Sequence, residues 1–481
     1  MTVQKEREVW SLVDSRRQRY TELSDRIWSY AELAYAEHRS AADIEAVLRA
    51  EGFRVEANVA GIPTAVMGEA GSGGPVIAIL GEYDALPGLS QEAGNPLHMP
   101  LPDQCGGHGC GHNLLGSGAL MAASSLKEWL ERTGTPGRVR FYGCPAEEGG
   151  AAKGFMVRAG VFRDVDVAIS WHPGPWTGVW EAHSLANTRI DFSFTGRAAH
   201  AATAPHLGRS ALDAVELMNV GVNYMREHMP SDARIHYAYL DAGGIAPNVV
   251  QARAKVRYLI RAADLPEMNR LVARVRKIAQ GAALMTETEL ETKVISAVSN
   301  LLANEPLERA MYEVMTRLGG PGFDMRDQAD AERFRRSVTD QDIASTWKRI
   351  GMPAQPGKLL ADMVVPLEAK SSTMAGSTDV GDVSWVVPTV QARGATCILG
   401  TPGHSWQLTA QGKLPMAHKG MVHAAKVMAG TAIEVLSDPG LLARAKADHA
   451  ARTKATPYVC PIPDDVEPPF DMSKGATVGA A

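Results

Sequence analysis

Pro75-Val-Ile-Ala-Ile-Leu80 runs directly into Gly81-Glu-Tyr-Asp84. The first six residues form an unbroken apolar run, bounded by the Gly-rich turn 68–74 and by Gly81. Such a run predicts a short strand buried on both faces. Two later stretches are also read as strands and have the same kind of ending. Arg138–Cys144 leads into Pro145-Ala-Glu-Glu-Gly149, and Asp164–Trp171 leads into His172. A helix is expected over Leu114–Leu130, between the first and second of these strands. Strands alternating with helices predict an α/β fold, a mostly parallel sheet covered by helices on both faces. In such sheets the strand C-termini open onto the binding crevice. Asp84, the Glu147–Glu148 pair and His172 are therefore expected at one end of one sheet.

The loop after the first strand is rich in Gly and Pro and ends in Gly107-His-Gly-Cys-Gly-His-Asn113. Thiolate and imidazole are good protein ligands for borderline divalent metals, and flanking glycines let the backbone crowd an ion. Cys-x-His alone is equally a Gly-rich turn with a free cysteine. Further downstream, Glu148, His172 and the histidine of Gly403-His-Ser-Trp406 supply more ligand types. Cys110, His112, Glu148, His172 and His404 make five candidates. Five ligands hold two metal ions when one of them bridges, leaving open positions for water. Glu147, beside a ligand, is placed to take a proton from that water and return it to a leaving amine. Asp84 is expected to orient a ligand histidine. His108, Cys105 and Cys144 exceed the ligand count and are read as structural.

The pattern changes near residue 186. Thr188–Phe194 and Arg234–Leu240 alternate apolar and polar residues, and strands are expected again at 251–261 and 287–298. Helices are expected over Ser210–Met229 and from Asp264, with Glu267 as its capping partner. The order β-α-β-β-α-β is the ferredoxin-like split pattern. The reading is an α+β lid and dimerisation domain, 186–298, inserted into a catalytic domain of 1–185 and 299–481. His200, among small residues in Gly196-Arg-Ala-Ala-His-Ala-Ala202, reads as a turn histidine or as one open to close approach by substrate. Asn248 and Arg261 are a candidate polar pair for a substrate carboxylate or oxyanion.

At 481 residues the chain exceeds one ordinary core, and 45% hydrophobic with 21% charged residues is globular. The net charge of −5 has no long single-sign run, which argues against nucleic acid or a membrane surface as partner. Five irregularly spaced cysteines fit a reducing compartment, and the N-terminus lacks a signal-peptide core, so a cytoplasmic protein is expected. Ser40 is read as a helix N-cap and Gly52 as the glycine ending that helix. Residues 320–370 read as a charged surface elaboration, Ala395–Gly400 as a strand leading to His404, Pro415–Leu436 as a helix. The Pro-rich tail from Thr456 reads as extended on the surface or disordered.

Together these motifs resemble the aminoacylase and glutamate-carboxypeptidase family of dinuclear metallopeptidases, in its amidohydrolase branch with hippurate and auxin-conjugate hydrolases. Within that branch, Gly81–Leu86, Gly107–Gly116, Phe141–Gly150, Pro205–Val215 and Ser377–Trp385 carry the likeness. The resemblance implies Cys110, His112, Glu148, His172 and His404 as ligands to two divalent ions, manganese or zinc. It implies Glu147 as general base, and Asn248 and Arg261 as substrate contacts. It also implies that His200 reaches the site of a second protomer, in a homodimer or in a heterodimer with a related chain. The implied substrate is an amide of an aromatic acyl group with an amino acid, such as aminobenzoyl-glutamate. Three positions depart from the branch: Asn113 and Glu82 stand where aspartate is usual, and Ser377-Thr-Asp replaces Ser-Glu-Asp.

Overall fold

Val76–Glu82 is buried at every residue, as a strand must be when it has neighbours on both edges and helices on both faces. The structure, a computed structural model, describes residues 2–179, 184–369 and 376–474. In chain order the strands are β1 (Arg54–Ala57), β2 (Val66–Ser72), β3 (Val76–Glu82), β4 (Leu86–Pro87), β5 (Gly106–Gly107), β6 (Gly137–Cys144), β7 (Val167–Gly174) and β8 (Gly178–Val179). They continue with β9 (Ala186–Thr195), β10 (Arg234–Asp241), β11 (Arg253–Ala262), β12 (Glu289–Val298) and β13 (Thr389–Ala395). The main sheet has the order β1-β2-β6-β3-β7-β13-β8. Its inner strands β6, β3, β7 and β13 are mutually parallel. The outer strands β1, β2 and β8 pair antiparallel.

Alternate residues of β3 serve the two faces. Ile77 and Ile79 join the cluster of helices Thr2–Tyr30, His112–Thr133 and Pro415–Ser437. Ala78 and Leu80 join Phe155 of the helix Ala152–Arg158 and Val380 and Val383 of the helix Val380–Val386. Each buried isoleucine contributes roughly 1.5–3 kcal/mol. The first helix is closed by the end of the chain: Trp10 Nε1 donates to the Lys426 carbonyl (3.0 Å) and Trp28 Nε1 to that of Thr409 (2.9 Å).

The residues from 186 to 298 form a separate antiparallel sheet of order β10-β11-β9-β12. Ile190, Phe192 and Phe194 of β9 are buried against the helices Ala211–Met225 and Leu265–Thr286. Ser210 and Asp264 cap those helices, accepting from the amides of Asp213 (3.1 Å) and Glu267 (2.8 Å). β10 is an edge strand with only Ile235 buried.

Several local expectations are corrected. The helix containing Ser40 begins at His38, and the Ser40 hydroxyl donates to Glu32 (2.8 Å) instead of capping. Gly52 does follow that helix with φ +80°. β7 starts at Val167, because the carboxylate of Asp166 occupies the Val76 amide (2.8 Å), and it continues past His172. β13 stops at Ala395; beyond it the Leu399 amide turns to the Leu359 carbonyl (2.8 Å). Residues 320–369 are not loose decoration. Capping boxes at Asp324 and Thr339 start two helices, and Phe334, Trp347 and Leu360 pack beneath them. The Pro-rich tail is irregular but fastened: Tyr458 donates to Asp382 (2.9 Å), Arg158 donates to the Val466 carbonyl (2.8 Å), and Ile462 is buried. Its last residues, 475–481, lie outside the described residues.

Candidate active site

The Gly-rich loop needs its glycines. A Cβ on Gly107 would lie 1.8 Å from the Leu89 carbonyl oxygen, and Gly111 takes φ +76° immediately before His112. The chain thereby turns from Cys110 straight into the helix His112–Thr133. The His404 amide donates to the Gly109 carbonyl (2.9 Å), which fixes the Gly403–Trp406 loop on the first loop. The Glu147–Glu148 turn follows β6 and is bent by left-handed residues on both sides, Ala146 (φ +54°), Gly149 (φ +98°) and Ala151 (φ +57°). Two of these carry a Cβ, so the turn stores strain that the surrounding bonds must hold. Glu37 supplies part of that hold: one carboxylate oxygen accepts from the amides of Tyr35 and Ala146, both at 2.9 Å.

The five ligand candidates converge in two triads. Sγ of Cys110 lies with imidazole nitrogens of His112 and His172 in one, and with Glu148 and His404 in the other, the donor atoms of each triad within 4.8 Å of one another. Cys110 Sγ is 3.3 Å from His172 Nε2, and His404 Nε2 is 3.2 Å from Glu148 Oε1. His172 Nδ1 donates to the Pro173 carbonyl (2.7 Å), which turns Nε2 toward the thiol. His112 is fully buried. Its Nδ1 is 2.9 Å from Asp84 Oδ1, while its Nε2 makes no hydrogen bond and lies 3.4 Å from Glu82 Oε2. Asp84 also accepts from the Glu148 amide (2.8 Å), coupling the two triads. A buried nitrogen without a hydrogen bond, on a ring held by a carboxylate from behind, is the arrangement of a metal-ligating histidine. The donor set of thiolate, imidazoles and carboxylate fits a divalent transition metal.

Burial, followed by the charges of Glu82 and Glu148, pushes Glu147 well above the usual carboxylate range. Burial opposes the charged form of His112, yet Asp84 and Cys110 outweigh it and raise that imidazole well above its usual value. Hydrogen bonding to Cys110 and Glu148 raises His404 to about 11. Glu82, His112 and Glu147 form a third close group. Behind it, fully buried Lys153 places Nζ 2.6 Å from Glu82 and 2.6 Å from Asp379.

Cys110, Glu147, Glu148, His172 and His404 line one cavity of about 570 Å³ between the two sheets, and Arg261 faces them from β11. Arg261 donates to Ser377 Oγ (3.2 Å). Asp84 and His112 lie buried behind the wall. His200 and Asn248 do not line this cavity. Both are exposed on adjoining loops, the Ala201 amide donating to the Asn248 carbonyl (3.0 Å). His200 Nδ1 accepts from the amides of Ala202 and Thr203 (3.2 Å each), so its Nε2–H points outward as a donor. His108 donates from Nε2 to the Ile27 carbonyl (3.0 Å), and burial pushes it down to about 4. Asn113 turns away from the cluster and donates to Ser24 (3.0 Å) and to the Gly412 carbonyl (3.2 Å).

Sequence reasoning missed Glu37, Lys153, Arg189, Arg349 and Arg393, and noted Glu82 only as a departure. Arg189 carried a signal, since it shares the polar face of β9 with Asp191. Lys153 gave none: a lysine on a short helix is ordinarily solvated.

Residues 78–346 match Peptidase family M20/M25/M40. The chain is 47% identical to the B component of p-aminobenzoyl-glutamate hydrolase from Escherichia coli (strain K12), over 95% of this chain and 97% of that one. The A component of the hydrolase from the same organism is 32% identical over 48% of this chain and 54% of its own length. Among solved structures, a dinuclear metal-binding peptidase of the M20 family from Bacillus subtilis superposes with a TM-score of 0.58 at 18% identity, covering 88% of this chain and 99% of that one. Among the described residues no helix is long and apolar enough to cross a membrane.

Proposed function

Since the chain belongs to peptidase family M20/M25/M40 and is a metal-dependent amide hydrolase, we propose that it uses two divalent ions, manganese or zinc, to cleave an N-acyl amino acid into free acid and amino acid. The aromatic amide aminobenzoyl-glutamate, named for the relative that is 47% identical, is the substrate this reading favours. The observation that carries it is the sharing of Cys110 by both ligand triads. Cys110, His112 and His172 would hold one ion, and Cys110, Glu148 and His404 the other. When bound, such ions polarise an amide carbonyl and lower the pKa of water. The remaining work falls to the chain. Asp84 fixes the His112 tautomer and, through the Glu148 amide, the position of the Glu pair. Glu147 takes the proton of the attacking water and gives it to the leaving nitrogen. Arg261 contacts the substrate from the cavity wall, whereas Asn248, outside this chain's cavity, would contact substrate only in the site of a partner copy.

The unit of 1–185 and 299–481 is read as catalytic, and 186–298 as lid and dimerisation unit. Its outer edge supports that role: β10 is open, and Leu217, Val220 and Tyr224 on the neighbouring helix are exposed. In a dimer formed there, the outward Nε2–H of His200 would serve the site of the partner copy. A second reading rests on the name of the same relative, one component of a hydrolase that also has an A component: the chain works with a related A-type partner. The five cysteines are all free, which suits the cytoplasm. The test is metal analysis of the purified chain, with assay on N-acyl amino acids in the absence and in the presence of an A-type partner. Two ions per chain are expected, both weakened by Cys110→Ala. One tight ion indifferent to that change would rule out the shared thiolate.

A further inference from the structure

Four arginines line the cavity. Arg189 and Arg261 come from the lid sheet; Arg349 comes from the helix Asp340–Arg349 and Arg393 from β13. The second pair is held by its surroundings. Arg393 is the register partner of His172 in the β13–β7 ladder, and one of its Nη atoms donates to the Pro173 carbonyl (3.1 Å). Gly174 makes room for it, since a Cβ there would meet the Arg393 side chain at 2.7 Å. Its guanidinium lies over Trp176, 5.7 Å from the ring centre. Arg349 ends the helix Asp340–Arg349. That helix is docked by fully buried Trp347, in a cluster with Trp176 and Leu399, and Thr346 Oγ1 accepts from the Gly400 amide (3.3 Å).

No carboxylate among the described residues pairs with Arg349. The acids of its own helix are engaged elsewhere, Asp340 with Arg335 and Asp342 in the cap at Thr339. The Arg349 guanidinium, on the wall of a partly desolvated cavity, is favoured by an arriving anion. Planar guanidinium forks match a carboxylate.

We propose that Arg349 and Arg393 bind the second carboxylate of a dianionic substrate, the side-chain acid of an N-acyl-aspartate or N-acyl-glutamate, with the first carboxylate held by the lid arginines. This rests on the hydrolase reading above and assigns a role to the segment 324–350: it carries Arg349 to the cavity wall. Arg349 and Arg393 are then determinants of specificity.

The experiment compares N-(4-aminobenzoyl)-L-glutamate with the near-isosteric glutamine amide, using the intact metal-loaded chain. Wild type should prefer the glutamate compound by roughly 10- to 100-fold in kcat/KM, the span of one or two charge-assisted hydrogen bonds. Arg349→Ala should bring the ratio close to one, chiefly through KM, and Arg349→Lys should restore part of it. Absence of a preference in wild type, or equal losses on both compounds in Arg349→Ala, overturns the proposal. If wild type cleaves neither compound, alone or with an A-type partner, the aminobenzoyl-glutamate reading fails. The pocket is then judged by equilibrium binding of the two compounds, where an equal affinity would overturn it and a preference abolished by Arg349→Ala would uphold it.

Discussion

The two sheets of this molecule treat polar side chains in opposite ways. At the C-terminal ends of β3, β6 and β7, acids, imidazoles and a lysine are buried together, and nearly every one is tied to another. On the four-stranded sheet Arg261 reaches the cavity from β11, but His200 and Asn248 are exposed on loops and bond mainly to local backbone. A cluster of the first kind is expensive unless completed by a cation or ligand. A residue of the second kind costs nothing to keep and does nothing until something approaches it. The ligand cluster is thus assembled inside one chain, whereas His200 and Asn248 stand outside that chain's cavity.

Three changes test that contrast. Glu147→Gln strikes the buried half and should have the largest effect. It keeps the shape but cannot take a proton, so kcat should fall at least ~100-fold while metal content and substrate binding persist. Loss of metal instead would show that Glu147 and Glu148 exchange roles. Asp84→Asn is the next in size. The ring of His112 loses its anionic support, and metal affinity or activity should drop by roughly 10–100-fold, read by chelator competition. An unchanged affinity would mean that burial alone holds the ring. The exposed half is tested last, by a partial recovery instead of a loss. His200→Ala and Glu147→Gln homodimers should each be nearly inactive, yet exchange of protomers in equal amounts should restore about a quarter of wild-type activity. No recovery after proven exchange would end the claim that His200 works across the dimer.

The same contrast explains what could be read from sequence. β3 announced itself by an unbroken apolar run and β9 by alternation, and in both the pattern reports burial directly; β10 alternates as well, yet only its Ile235 is buried. The ligand candidates were legible because each ends an apolar stretch or sits among glycines. The ends of elements were less so. Ser40 has the chemistry of a cap, but Glu32 claims its hydroxyl. Asp164 and Asp166 looked like the start of a strand, yet their carboxylates are used against Arg140 and the Val76 amide. Trp347 lies in a segment too charged to betray a core, because the burial there is against residues some fifty positions away, such as Leu399. Lys153 and Arg349 were invisible for a related reason: a single cation says nothing until the fold shows which anions surround it, or that none does.

The bonds from Trp10 and Trp28 to Lys426 and Thr409 set an order on how the molecule is made. The four-stranded sheet, complete at Val298, can fold while the ribosome is still adding residues. The main layer cannot close until the helix Pro415–Ser437 has emerged, on the order of ten seconds later at ordinary elongation rates. Through that interval the apolar face of the first helix is exposed, and nascent chains halted before residue 415 should be the ones that chaperones hold.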